Sequence, residues 1–196
     1  MKLETKRLIL RKPKMSDWKD LVEGLSEIDV AKETENIPRP YFKKHAVKWI
    51  KKTIKEWNKK IQENYAFMIE LKSEKKIIGC LELTKINKNS KIAETGSWIN
   101  KKYLRRGYIT EAKIAVNDFA FNKLKLRKLN TSVFQNNLAS NKTQEKVGYK
   151  LEGIKIKDRI CFSTGKIHNA NLYGLLKEDW KKIRPELIKD LKKKLH

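Results

Sequence analysis

The stretch Tyr103-Leu104-Arg105-Arg106-Gly107-Tyr108-Ile109-Thr110-Glu111-Ala112 constrains this chain more than any other. It joins a strand-patterned segment, Ala93 to Asn100, to a helix-patterned one, Thr110 to Lys123. A turn that leads from a strand into a helix gathers backbone N–H groups at the helix N-terminus, where the helix dipole favours an anion. Gly107 lets the chain turn tightly and approach a ligand. Arg105 and Arg106 add two permanent cations whose forked donors suit phosphate oxygens. The segment reads as a pyrophosphate cradle. No Gly-Lys-Ser/Thr follows and the three glycines of a dinucleotide fingerprint are missing, so it is neither of those phosphate loops. By itself, a basic turn with one glycine is more often an ordinary surface loop.

The surrounding pattern alternates strands and helices. Arg7 to Lys12 reads as a strand, and Ser16-Asp17 offers N-cap chemistry to a helix with Trp18, Leu21, Val22 and Leu25 on one face. After the proline-punctuated loop Asn36 to Pro40, a longer helix carries Ala46, Trp49, Ile50, Thr53, Ile54 and Trp57. Tyr65 to Leu71, Lys76 to Ile86 and Ile92 to Asn100 then read as an antiparallel meander. In the cradle helix Ile109, Ala112, Val116, Phe119 and Ala120 are expected to face inward. A further strand, Leu129 to Phe134, precedes a second loop-to-helix segment that runs from Asn137 to Gly148, and two strands close the pattern. The predicted fold is α+β: a central mixed, largely antiparallel sheet flanked by helices, in the order β-α-α-β-β-β-α-β-α-β-β. Residues 1–180 form the expected domain. Residues 181–196 belong to a basic amphipathic helix that starts near Lys177, carries Trp180, Ile183, Leu187, Leu191 and Leu195, and packs on the same domain.

Two segments together carry a family signal. Gly107-Tyr108-Ile109-Thr110-Glu111-Ala112 is followed by Asn137, Ser140, Glu145-Lys146-Val147-Gly148-Tyr149 and Glu152-Gly153. This series resembles the acetyl-CoA-binding motifs of the GNAT N-acetyltransferase superfamily, in its ribosomal-protein serine/alanine (RimJ/RimL-like) branch. Glu4 to Arg11, Glu94 to Ile99 and Leu172 to Leu176 are similar to the opening, central and final strands of that branch. The resemblance runs from about Lys2 to Trp180.

The resemblance implies a GNAT-type sheet, acetyl-CoA as cofactor, and an acceptor amine, foremost a protein N-terminus. It implies that the central strand splays near Trp98 to Asn100, so that Trp98, Ile99 and Asn100 hold the pantetheine arm. The Ile99 N–H would face the thioester oxygen. Leu104, Arg105, Arg106, Gly107, Tyr108, Ile109 and Thr110 would form the cradle. Asn137 would contact CoA, and Ser140 would both contact it and donate toward the leaving sulfur. Asn and Ser are also good N-caps, so the pair Asn137 and Ser140 can equally be a helix start. The branch often carries a Glu after Glu-Gly; here the stretch is Lys155 to Ile160, with Asp158 the nearest carboxylate and Glu94 and Glu82 as alternatives. An α-amine has an intrinsic pKa near about 8 and needs little help from a base. His168 reads as a surface or structural histidine. The walls of the acceptor cleft are expected from Glu27 to Tyr41 and from the hairpin Asp158 to His168.

Charge and cysteine content narrow the setting. With 47 Lys plus Arg against 23 Asp plus Glu, the net charge is +24, a field that attracts polyanions and repels cations. It fits ribosome or RNA proximity, but lysine is scattered through nearly every segment and no RNA-binding motif stands out. A small-amine acceptor such as a polyamine or aminoglycoside would need a local acidic pocket, which Glu27, Asp29, Glu33 and Glu35 could supply. A silent CoA- or RNA-binding protein is the third reading. Cys80 and Cys161 have no metal or disulfide spacing, and no His/Cys/Asp cluster suggests a metal. No apolar run approaches the roughly 20 residues of a membrane span. A cytoplasmic protein, with a homodimer left open, is the expectation.

Overall fold

In the computed structural model, residues 1–193 are described. Lys2–Glu4 (β1) pairs with Leu8–Arg11 (β2), whose Leu8 and Leu10 are fully buried. A 3-10 turn at Met15–Asp17 leads into Trp18–Ser26 (α1), the single turn Ile28–Ala31 (α2) and Lys43–Trp57 (α3). The chain returns as Tyr65–Leu71 (β3), Lys76–Asn87 (β4) and Ile92–Ile99 (β5). Tyr108–Asp118 (α4) runs into a π-helical turn, Phe119–Lys123, and on to Lys128–Phe134 (β6) and Leu138–Lys146 (α5). Lys150–Ile160 (β7), Ile167–Leu176 (β8) and Lys177–Lys193 (α6) complete the chain.

Among the described residues eight strands form one sheet in the order β1-β2-β3-β4-β5-β6-β8-β7, with β5–β6 its one parallel pair. The mixed α+β architecture with helices on both faces is the expected one. On one face Leu21, Leu25, Ala46 and Ile50 of α1 and α3 pack on Ala66, Met68 and Cys80. On the other, Ala112 and Val116 of α4 and Trp180 and Leu187 of α6 pack on Leu10, Phe67, Leu81 and Leu83. Both cysteines are buried and free.

Local details depart from the sequence reading. The opening strand is a hairpin, because β1 adds a pairing that three mostly exposed residues do not advertise. Asp17 occupies the N-cap position of α1 but makes no cap bond. Its carboxylate instead accepts from Lys14 N at 2.7 Å and from Arg11 Nη1 and Nη2 at 2.9 and 2.8 Å. The α4 helix is not amphipathic: Glu111, Lys113 and Asn117 are buried beside Ala112 and Val116, since α4 is covered by β1, β2 and β4 of the sheet and by α6. Gly148, at φ +91°, ends α5; a Cβ there would also lie 3.0 Å from Ile183 Cγ2 of α6. The end of the predicted C-terminal stripe, Leu195, lies outside the described residues.

Candidate active site

The site begins where β5 and β6 part. Their ladder joins Ile92, Ala93 and Glu94 to Lys128, Leu129 and Asn130, and goes no further, although both strands continue. Two threonines hold the branch point. Thr131 Oγ1 donates to Thr95 O at 2.8 Å, and Thr95 Oγ1 lies 3.5 Å from Asn130 O and 3.3 Å from the Tyr149 hydroxyl. Side-chain hydroxyls thus replace the backbone partners that the diverging strands give up. Asn100 N donates to Ile78 O of β4 at 2.8 Å. Backbone direction alternates along a strand, so the Ile99 N–H points the other way, into the gap between β5 and β6. That edge can accept an extended ligand as an added strand.

Beside the gap lies the cradle. Gly107 is in the left-handed region, φ +78°, at the N-cap of α4, and Arg105 just before it has φ +61°. No side chain caps α4, and the first intrahelical bond is Glu111 N to Gly107 O at 3.0 Å. The N–H groups of Tyr108, Ile109 and Thr110 therefore have no partner within the helix and share the positive end of its dipole. The turn is anchored from a distance. Glu111, 1% exposed, accepts from Arg7 N at 2.9 Å, Arg7 Nε at 2.7 Å and Thr5 Oγ1 at 2.6 Å. Arg7 Nη1 in turn donates to Arg106 O at 3.0 Å, and its guanidinium lies 4.3 Å from the Tyr108 ring centroid.

Facing the cradle is the start of α5. Asn137 Oδ1 accepts from Ser140 N at 3.0 Å, so the cap predicted for this pair forms while the Ser140 side chain stays clear of it. Between these elements opens a cleft of about 420 Å³ lined by β5, the cradle, the α5 start and the segment Asp29 to Thr34. Gln144, 3% exposed, forms part of its wall, and its buried Oε1 has no hydrogen-bond partner. The lining holds four charged groups: Asp29, Lys32, Glu33 and Lys101. Asp29 accepts from Lys101 Nζ at 2.5 Å and Lys32 Nζ at 2.7 Å, and these bonds pull its carboxyl down to about 2. The Glu33 carboxylate has neither a hydrogen bond nor an ion pair among the described residues. Burial lifts its carboxyl above the usual range, against the weaker pull of Lys32 and His168.

Of the residues singled out from the sequence, Trp98, Ile99, Leu104, Ile109, Asn137 and Ser140 line this cleft. Arg105 and Arg106 are exposed on the cradle, with Gly107, Tyr108 and Thr110 completing the turn. Three others sit elsewhere. Asn100 is buried, and its Oδ1 caps the following 3-10 turn by accepting from Lys102 N at 3.0 Å. Asp158 pairs with Arg159 Nε at 3.0 Å and Lys155 Nζ at 3.7 Å on the edge strand β7. Glu94 pairs with Lys85 at 3.0 Å at the closed end of the β5–β6 ladder, whereas the cleft opens at Ser97 to Ile99. The expected wall from Glu27 to Tyr41 contributes Asp29 to Thr34, but no residue of the hairpin Asp158 to His168 lines the cleft. That wall belongs to Asn136 to Gln144; His168 touches it through Asn136, Nδ1 to Oδ1 3.1 Å, and stacks on Phe134. Arg7 and Glu111 went unassigned in the sequence. A charged residue on the inward side of the cradle helix was the available signal.

These features match known proteins. The family Acetyltransferase (GNAT) domain matches residues 7–150, well over half the chain. A Bacillus subtilis (strain 168) protein named "Probable N-acetyltransferase YjcK" is 32% identical over 117 residues, which cover 58% of this chain and 65% of that protein. The microcin C7 self-immunity acetyltransferase MccE, solved with acetyl-CoA and AMP, superposes at TM-score 0.76 and 20% identity, over 88% of this chain and 93% of its own. The ribosomal-protein-S5-alanine acetyltransferase from Vibrio fischeri superposes at TM-score 0.79 and 17% identity, over 92% and 98%. At such identities the two structures speak for the fold alone. With its family match, the parted β5–β6 pair and the uncapped cradle helix, the chain belongs to the GNAT acetyltransferase family.

Proposed function

We propose that this acetyltransferase transfers the acetyl group of acetyl-CoA to the N-terminal α-amine of a protein, a ribosomal protein foremost. The observation that carries the reading is the open edge of β5 lying beside an uncapped, arginine-flanked helix N-terminus on one cleft. A pyrophosphate would fit the N–H groups of Tyr108, Ile109 and Thr110 with Arg105 and Arg106 alongside. The pantetheine arm would pair with the edge at Ser97 to Ile99, where the unpartnered Gln144 Oε1 supplies a further acceptor for an amide N–H. When bound, acetyl-CoA supplies the activated acetyl group. The chain's part is to hold it, to orient the Ile99 N–H toward developing negative charge, and to place the Ser140 hydroxyl near the leaving sulfur. None of Asp158, Glu94 and Glu82 lines the cleft, which suits an α-amine that ionises near about pH 8 and deprotonates readily in water.

The polyamine or aminoglycoside alternative needs a cluster of free carboxylates. Here Asp29 is held by two lysines and Glu35 by Arg159 at 2.7 Å, while Glu27 does not line the cleft. One uncompensated carboxylate suits one ammonium better than a polycation. The net charge of +24 favours an acceptor presented on or near RNA. No described helix is long and apolar enough to cross a membrane, and among the described residues no cluster could hold a metal ion.

Free-CoA release measured with peptides beginning Ser or Ala, polyamines and aminoglycosides tests the reading. Selective turnover of the peptides is expected. Turnover confined to the small amines would replace the substrate, and CoA binding without turnover on any acceptor would replace the activity.

A further inference from the structure

The cleft is electrically unlike the rest of the protein. The chain carries +24 overall, yet the charged groups of the lining are two carboxylates and two ammoniums, which cancel. Their arrangement is uneven. Both lysines converge on Asp29, with Lys101 Nζ at 2.5 Å and Lys32 Nζ at 2.7 Å from its two oxygens. Glu33, one residue from Lys32 and on the same wall, is left with no partner of its own. It is half-buried, on the loop that follows α2, and faces the wall formed by Asn136 to Gln144. Elsewhere in the chain, exposed and part-buried carboxylates are paired, among them Glu4, Glu23, Glu56 and Asp179. With twice as many cations as anions available, a bare carboxylate in a cleft wall stands out. A half-buried anion without a partner is destabilised relative to water, and a ligand cation that reached it would relieve that.

We infer that Glu33 receives the ammonium of the acceptor, making it the residue that sets the cleft's preference for a single primary amine. The inference rests on the amine-acceptor reading above. Its neighbours fit this assignment. Lys32 and Lys101, which would repel an incoming cation, are tied to Asp29 and turned from the task. Ser97, Thr34, Asn136 and Ser140 offer neutral hydrogen-bonding groups around the same space. A cleft of about 420 Å³ shared with the acyl-donor arm leaves room for the first residues of a peptide rather than a bulky ring system.

The test compares wild type, Glu33→Gln and Glu33→Asp with an acceptor peptide found in the panel above and its desamino analogue as a competitive ligand. Gln keeps the size and removes the charge, and Glu33 has no internal partner to lose, so folding should hold; an unchanged KM for acetyl-CoA checks this. Expected for Glu33→Gln is a rise of about tenfold or more in the peptide KM, with kcat far less affected. The preference of wild type for the charged peptide over its desamino analogue should disappear in Glu33→Gln and survive in Glu33→Asp. A peptide KM and preference equal to wild type in Glu33→Gln would sink the inference and leave the acetyltransfer reading standing. A wild type that acetylates no amine of the panel would overturn that reading and this inference with it.

Discussion

Arg7 and Glu111, 104 positions apart in the chain, lock the opening strand to the cradle helix: Arg7 Nε and Arg7 N donate to the two oxygens of one buried carboxylate, at 2.7 and 2.9 Å. Arg7 also donates through Nη1 to Arg106 O, so one side chain ties the helix and the turn before it to the sheet. The pair holds the cradle in place.

Glu111→Gln leaves the Arg7 guanidinium short of its counter-charge in a largely covered site. Breaking such a pair typically costs about 3–5 kcal/mol, and the turn carrying Arg105 and Arg106 should loosen. The expected outcome is a lower denaturant midpoint together with a raised KM for acetyl-CoA and little change in acceptor KM. A variant with wild-type acetyl-CoA KM would show that the cradle holds its shape without the pair.

Arg105 and Arg106 are exposed, so in the proposed cradle they would act on an anion through solvent-screened charge. Replacing both by Ala should weaken acetyl-CoA binding by about tenfold to a hundredfold at low salt, leave stability nearly unchanged, and flatten the salt dependence of binding. Calorimetric titration of acetyl-CoA at two ionic strengths would check it, and an unaltered affinity would remove the arginines from the cradle.

Asn137 and Ser140 share one cap yet should separate by mutation. Asn137→Ala removes the acceptor of the Ser140 N–H and should cost about 1 kcal/mol of stability. Ser140→Ala keeps that backbone bond, so stability should hold while kcat falls. Thermal melts with parallel kinetics distinguish the roles. Equal stability losses and unchanged kcat in both variants would make the pair a helix start only.

Lys113 is 2% exposed, with its ammonium 5.6 Å from the Tyr149 ring centroid. Burial lowers it from 10.5 to about 8. The folded state thus releases this proton near pH 8 while the unfolded chain keeps it until about 10.5, so the unfolded state binds more protons in that window. Stability should rise with pH between the two values, and below about pH 8 the full penalty, roughly 3 kcal/mol, is felt. Lys113→Met should therefore be more stable than wild type at neutral pH, with the gap narrowing toward pH 10. A pH-independent difference in melting temperature would mean that Lys113 keeps its charge in the fold.

The sheet meander was legible because its strands are apolar runs bounded by clear turns: Tyr65–Leu71 begins and ends where the pattern does. The helix stripes of α1 and α3 were legible for the same reason, with Leu21, Leu25, Ala46 and Ile50 buried as their spacing requires. The cradle helix was read only in part. Its start followed from Gly107, but Glu111 and Lys113 were hidden inside, because which sides of a helix are covered depends on elements distant in sequence. Asp158 and Glu94 were plausible bases by strand position alone; ion pairs with Arg159 and Lys85 occupy both away from the cleft.

What the sequence determined by itself is local: the alternation that makes strands, the spacing that makes helices, the glycine at φ +78° that starts the cradle, and the motifs that place the chain in its family. Those follow from contacts between near neighbours and from steric limits on single residues. Only the tertiary structure decided where β5 and β6 stop pairing, that Arg7 holds Glu111, and that Asp29 takes two lysines while Glu33 takes none. In a chain with 47 basic and 23 acidic side chains, the sequence counts the charges but not their partners. Pairing depends on distances of a few ångströms set by the packing of the whole sheet, and so the composition alone could not show which carboxylate of the cleft would lack a partner.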